Sequence, residues 1–228
     1  MLGRLANDAR LRQGAAMQFG GRTLIIETAS EACSVALFDA GKCIANDHRE
    51  LGRGHAERLI PMIDALPAKG RADRILTSLG PGSFTGVRIG IAAARALGVA
   101  WGVPVLGYPT LALVAVRAWD PAPRPVTVCM NGGHGEWFVQ NFDPDNTDGP
   151  VRSLTPKAAA ETDAKGVIAG NRAKEFAGLL DDDRVALDLL PDAGFAHRLD
   201  ETRLSLDLSP IYGRAPDAKP QSLQAAKP

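Results

Sequence analysis

The stretch "GPGSFTGVRIG" at residues 80–90 has the residue types best suited to chemistry. Gly80, Gly82 and Gly86 around Ser83 are small enough to let a backbone cradle phosphate at the start of a helix. Three chemistries built on such glycines need more than is present. A G-x-x-x-x-G-K-[ST] loop sets a lysine on the terminal phosphates, but here Val87 and Arg88 follow Gly86. A dinucleotide loop needs its third glycine where Thr85 stands, and an acidic ribose ligand about 20 residues on, where "WGVPVLGYP" has none. A G-x-S-x-G nucleophile elbow is broken by Pro81, two residues before Ser83.

The same residues have a packing use. Gly86, Gly90, Ala94 and Gly98 recur every fourth position and leave one helix face almost free of side chains. Such a stripe either seats the helix on its own sheet or lets a partner helix come close. The preceding "GHAERLIPMIDAL" favours the partner. Its Leu59, Ile60, Met62, Ile63 and Leu66 form a wider apolar face than a one-sided surface helix needs, so the two helices are expected to make half of an intermolecular bundle.

Around these helices the chain alternates strands and helices. "TLIIETA", "SVALFDA" and "GKCIANDH" read as a three-stranded meander, followed by the first helix, a strand "RILTSLG", the glycine-led helix, a strand "VLGYP" and a helix "TLALVAVRAW". The order βββαβαβα predicts an α/β fold with a partly parallel sheet. "DPAPRP" reads as a linker, and a second half restarts with the hairpin "PVTVCMNGGHGEWFVQNFD", which suggests a duplicated unit. The expected division is a disordered extension at 1–21, with Met17 as an alternative start, a first lobe at 22–120, a smaller lobe at 121–213 and a flexible tail at 214–228.

Composition narrows the function classes. The 228 residues carry 26 basic and 26 acidic side chains, so no net positive field holds nucleic acid non-specifically. Cys33, Cys43 and Cys129 lack C-x-x-C spacing, which argues against a zinc or disulfide framework and for a reducing cytoplasm. The longest apolar helix contains Arg88 and Arg95 and is too short to span a bilayer.

"TLIIETASEACSVAL", "LGPGSFTGVRIGIAAARALGVAWGVPVLG", "GGHGEWFVQNFD" and "PIYGRAPDAKPQ" together resemble the bacterial TsaB (YeaZ) family. The resemblance implies a two-lobed actin-like (ASKHA, RNase H-like) fold. It also implies a role in making N6-threonylcarbamoyladenosine (t6A) on tRNA. In that family a paralogue, TsaD, performs the catalysis and TsaB pairs with it through helices of the first lobe. The chain is therefore expected to be a non-catalytic dimerisation subunit that meets tRNA only through the complex. A TsaE-like ATPase joins by analogy, and a homodimer through the same helices would compete with the heterodimer.

Three departures support non-catalysis. The paired histidines that hold a metal in TsaD are reduced to His55, because Leu59 stands one turn later. The first-hairpin aspartate of actin-like ATPases is Glu27 here. "NGGHGEWF" replaces the more charged second hairpin common in relatives. No intrinsic cofactor or metal is expected, while ATP with magnesium is left open for the assembled complex. The alternative is a weak actin-like ATPase that uses Glu27, Gly80, Gly82 and Ser83, which otherwise form a vestigial nucleotide site.

Overall fold

The computed structural model describes residues 20–145, 148–180 and 183–213. The expected extension, except Gly20 and Gly21, and the expected tail lie outside the described residues. Strands β1 (Arg22–Glu27), β2 (Ala32–Asp39), β3 (Lys42–Glu50), β4 (Arg74–Ser78) and β5 (Val105–Tyr108) form one sheet in the order β3-β2-β1-β4-β5. β1 pairs antiparallel with β2 and parallel with β4. β1 and β2 are almost wholly buried and read as near-continuous apolar runs, because both faces of the sheet are covered. β3 is the exposed edge, and its Lys, Asp, His, Arg and Glu discourage pairing with another chain.

One face of this sheet carries α1 (His55–Asp64) and α2 (Phe84–Trp101). Leu24 and Ile26 of β1 point to these helices, and Ile25 points to the other face. The Ser83 side chain caps α2 by accepting from Gly86 N at 3.2 Å, and Gly102 ends the helix at φ 68, in the left-handed region a glycine tolerates best.

The second sheet consists of β6 (Val126–Gly133), β7 (Glu136–Phe142), β8 (Arg152–Leu154), β9 (Val167–Ala169) and β10 (Ala186–Leu187), in the order β10-β9-β6-β7-β8. Read from β8, this is the same path as the first sheet. The duplication suggested by the two hairpins is therefore a repeat of topology. α4 (Pro156–Ala160) and α5 (Ala173–Leu179) occupy the places of α1 and α2. A 3₁₀ segment, Ala193–Arg198, stands in place of a closing α-helix. β8 and β10 are too short to have been visible as strands in the sequence.

Between the sheets lies α3 (Thr110–Ala118). All of its residues except Arg117 are buried, and they share one core with Ile25, Phe38 and Leu76 of the first sheet and Val128, Phe138 and Phe142 of the second. A helix that is apolar all round must be covered all round. Each of its larger aliphatic side chains contributes about 2 kcal/mol by burial. Arg117 escapes by extending outward, where its guanidinium donates to Leu190 O at 2.6 Å.

The helix faces correct the expectation of an exposed bundle. Leu59, Met62, Ile63 and Leu66 are buried within this chain, packed with Leu24, Val35 and Ile75, and of the five only Ile60 is exposed, at 51%. The small-residue stripe also turns inward. A Cβ on Gly86 would meet Thr28 O, one on Gly90 would meet Thr28 Oγ1, one on Gly98 would meet Val105, and Ala94 is fully buried. The stripe seats α2 on its own sheet, because the turn after β1 comes too close for larger side chains. Gly90→Ala should therefore destabilise the isolated chain by about 2 kcal/mol, lowering the urea midpoint; an unchanged midpoint would mean that Gly90 has room.

Candidate functional site

A cleft of about 1150 Å³ opens where the two sheets' turns face each other. Ala29 and Glu31 of the β1–β2 turn, Gly82 and Ser83 of the glycine loop, and Asn131 and His134 of the β6–β7 hairpin line it. The sides are tied at Asn171, which follows β9. Its amide nitrogen donates to Glu31 Oε1 at 2.6 Å, and its carbonyl accepts from Asn131 N at 2.8 Å. Asn171 was not singled out from the sequence; "GVIAGN" marks only a strand end.

The glycine loop spends its polar groups on its own fold. Ser83 N donates to Ala29 O at 2.7 Å, Thr110 N to Gly80 O at 2.8 Å, and Ile211 N to Leu79 O at 2.7 Å. Gly82 is required because a Cβ there would run into Ala29 O. Gly80 sits at φ +92, and a Cβ would lie 2.9 Å from Ile211 O. The small residues thus let this loop press against the β1–β2 turn and the 205–213 segment. Of the four residues grouped as a vestigial nucleotide site, Gly82 and Ser83 line the cleft; Glu27 and Gly80 do not.

Glu27 is wholly buried. Its Oε1 accepts from Ala29 N at 2.7 Å, and its Oε2 lies 3.3 Å from the Tyr108 hydroxyl. That hydroxyl also lies 3.0 Å from Ile26 O, and its single proton cannot serve both contacts. With the proton on the shorter contact, a protonated Glu27 donating to Tyr108 satisfies the other. Burial pushes the Glu27 carboxyl up to about 7 against the opposing amides and the Ser78 and Tyr108 hydroxyls. A half-neutral carboxyl turned into the core is a poor magnesium ligand. Tyr108, missed from the sequence as one residue of a short strand, is its long-range partner.

The histidines do not converge on a metal. His55 is buried with Nε2 3.2 Å from Ala32 O, so it ties α1 to β2, while Leu59 packs in the core beneath it. Among the described residues no group of three or more His, Cys, Asp or Glu is placed to hold an ion.

Comparison with known proteins decides the family. The model of the TsaD family, tRNA N6-adenosine threonylcarbamoyltransferase, matches residues 47–149. The tRNA threonylcarbamoyladenosine biosynthesis protein TsaB of Escherichia coli is 45% identical over 132 residues, 54% of this chain and 56% of that protein. The solved YeaZ of Pseudomonas aeruginosa superposes with a TM-score of 0.71 at 30% identity, covering 84% of this chain and 99% of that one. The chain belongs to the TsaB (YeaZ) family. It spans about half the length of the curated TsaB relatives it matches, 56% in E. coli and 61% in Buchnera aphidicola. The two sheets of this TsaB-family chain give it the two-lobed actin-like fold, and no helix among the described residues is long and apolar enough to cross a membrane.

The buried carboxyl makes a test with a definite sign. Between its ordinary value of 4.5 and about 7, folded Glu27 keeps a proton that the unfolded chain has released, so its contribution to stability falls as pH rises through that window. Full ionisation removes on the order of 3 kcal/mol. Glu27→Gln preserves an acceptor for Ala29 N and a donor for Tyr108, so it should melt above wild type at about pH 8 and lose that advantage near pH 4. Parallel melting curves at every pH would contradict the buried, raised carboxyl.

Proposed function

We propose that this chain is a non-catalytic subunit of tRNA t6A biosynthesis that pairs with a TsaD-like catalytic chain through the outer face of α2 and the adjoining side of α1. The observation that carries the reading is the distribution of exposed apolar side chains. Eight large ones are exposed among the described residues, and five of them, Ile60, Phe84, Val99, Leu206 and Tyr212, lie on α2 or on the segments flanking it. Val99 is 86% exposed, and Ala92, Ala96 and Ala100 surround it on the same outward stripe. This docking face is the opposite side of α2 from the glycine stripe. Family membership supplies the process, and the match of 47–149 to the TsaD family suits a pairing between paralogues.

The weak-ATPase alternative loses support because Glu27 is buried and turned away from the cleft. ATP with magnesium belongs to the assembled complex in this reading. There a TsaE-like ATPase also joins and tRNA is met through the partner. The setting is the cytoplasm, and a homodimer on the same face would compete with the heterodimer.

Val99→Asp should leave the fold intact and weaken pairing with the TsaD-like protein about 10-fold or more, because it sets a charge in an apolar contact. Leu179→Asp, on the second lobe, should not. Titration calorimetry checks both, and equal affinity for wild type and Val99→Asp would refute this docking face. ATP turnover by the cleaned protein should stay at background and be indifferent to Glu27→Ala.

A further inference from the structure

The two ends of the α2 face differ in character. Toward the carboxyl end it is exposed alanine and valine around Arg95, whereas at the amino end Phe84, Arg88 and Tyr212 form a cluster at the edge of the cleft. Arg88 lies flat on Phe84, its guanidinium carbon 3.2 Å from the ring centroid, and its Nη2 donates to the Tyr212 hydroxyl at 2.7 Å. The Phe84 and Tyr212 rings stand 6.0 Å apart, both more than half exposed.

Tyr212 comes from a distant part of the chain and is held in place by backbone bonds. Ser205 and Gly107 exchange a pair at 2.8 and 2.9 Å, Leu208 is buried against Val87 and Ile91, and Ile211 N donates to Leu79 O at 2.7 Å. An exposed arginine normally surrenders rotamer freedom when it binds; here stacking and the hydroxyl bond have already fixed it. Its remaining guanidinium donors face no carboxylate among the described residues, whereas Arg95 has Asp207 nearby. α2 itself contains two arginines and no acidic residue.

Building on the docking reading above, we propose that Phe84, Arg88 and Tyr212 form the specificity-determining contact of that surface, which receives from the TsaD-like partner an apolar side chain flanked by a carboxylate. Three features support this occupant: continuity with the apolar α2 stripe, the unbalanced positive charge, and a pre-ordered aromatic–arginine composition of the kind that dominates binding energy at interfaces. The partner's carboxylate would pair with the free edge of the guanidinium while its apolar neighbour covers the Phe84 ring.

The test titrates the full chain into the TsaD-like protein of the same organism at about 50 and about 500 mM salt. Arg88→Glu should weaken binding about 100-fold at low salt, and Arg88→Gln about 10-fold with a flatter salt dependence. Because Arg88 is a surface residue, both variants should melt with wild type. Wild-type affinity and salt slope in Arg88→Glu would overturn the proposal, as would loss of self-association alone, which would make a second copy the occupant. Ala92→Glu measured alongside separates the levels. If it abolishes pairing while Arg88→Glu does not, only the contact is wrong; if neither variant matters, the docking face is wrong as well.

Discussion

The burial of α3 between two sheets is the constraint on which the rest of the molecule depends. A nine-residue helix with Leu, Val and Ala on every side cannot sit on a surface, so both sheets must close on it. Their inner faces then become one core that includes Phe38, Phe138 and Phe142. In a fold of two lobes, hinge motion needs a boundary poor in apolar contacts. Here that boundary is a continuous apolar core shared by both sheets. The tie from Asn171 to Glu31 at the cleft mouth acts in the same direction.

With the lobes fixed, residues that could serve nucleotide chemistry serve packing. The β1–β2 turn descends on the glycine loop so closely that Gly82 and Gly86 have no space for a side chain, and Thr28 Oγ1 donates to Gly86 O at 2.8 Å to hold the two together. Glu27 supports that turn from below through Ala29 N. The result is a rigid platform whose outer surface is α2.

Much of this was legible in the sequence. The βββαβαβα order, the hairpin restart at 126–142 and the family came from apolar periodicity and long specific motifs. The direction of the stripe Gly86, Gly90, Ala94 and Gly98 was not, because periodicity shows that one face is small without saying what it meets. The same holds for Leu59, Met62, Ile63 and Leu66, whose width suits a helix lying against both a sheet and a second helix. Glu27 looked like a cleft carboxylate from its place at a strand end. Turned inward, it meets Tyr108, 81 residues away, and no local pattern encodes that meeting. The Arg88–Tyr212 bond spans 124 residues and was equally hidden.

The chain works by presenting the outer side of α2 to a paralogous partner, which reaches the cleft only at its Phe84, Arg88 and Tyr212 edge. Hydrogen-exchange mass spectrometry of the chain alone and with the TsaD-like protein tests this most directly. Exchange should slow in peptides covering 84–101 and 205–213 and stay unchanged in the 131–135 hairpin on the far side of the cleft. Protection of that hairpin, with 84–101 exchanging as in the free chain, would contradict it.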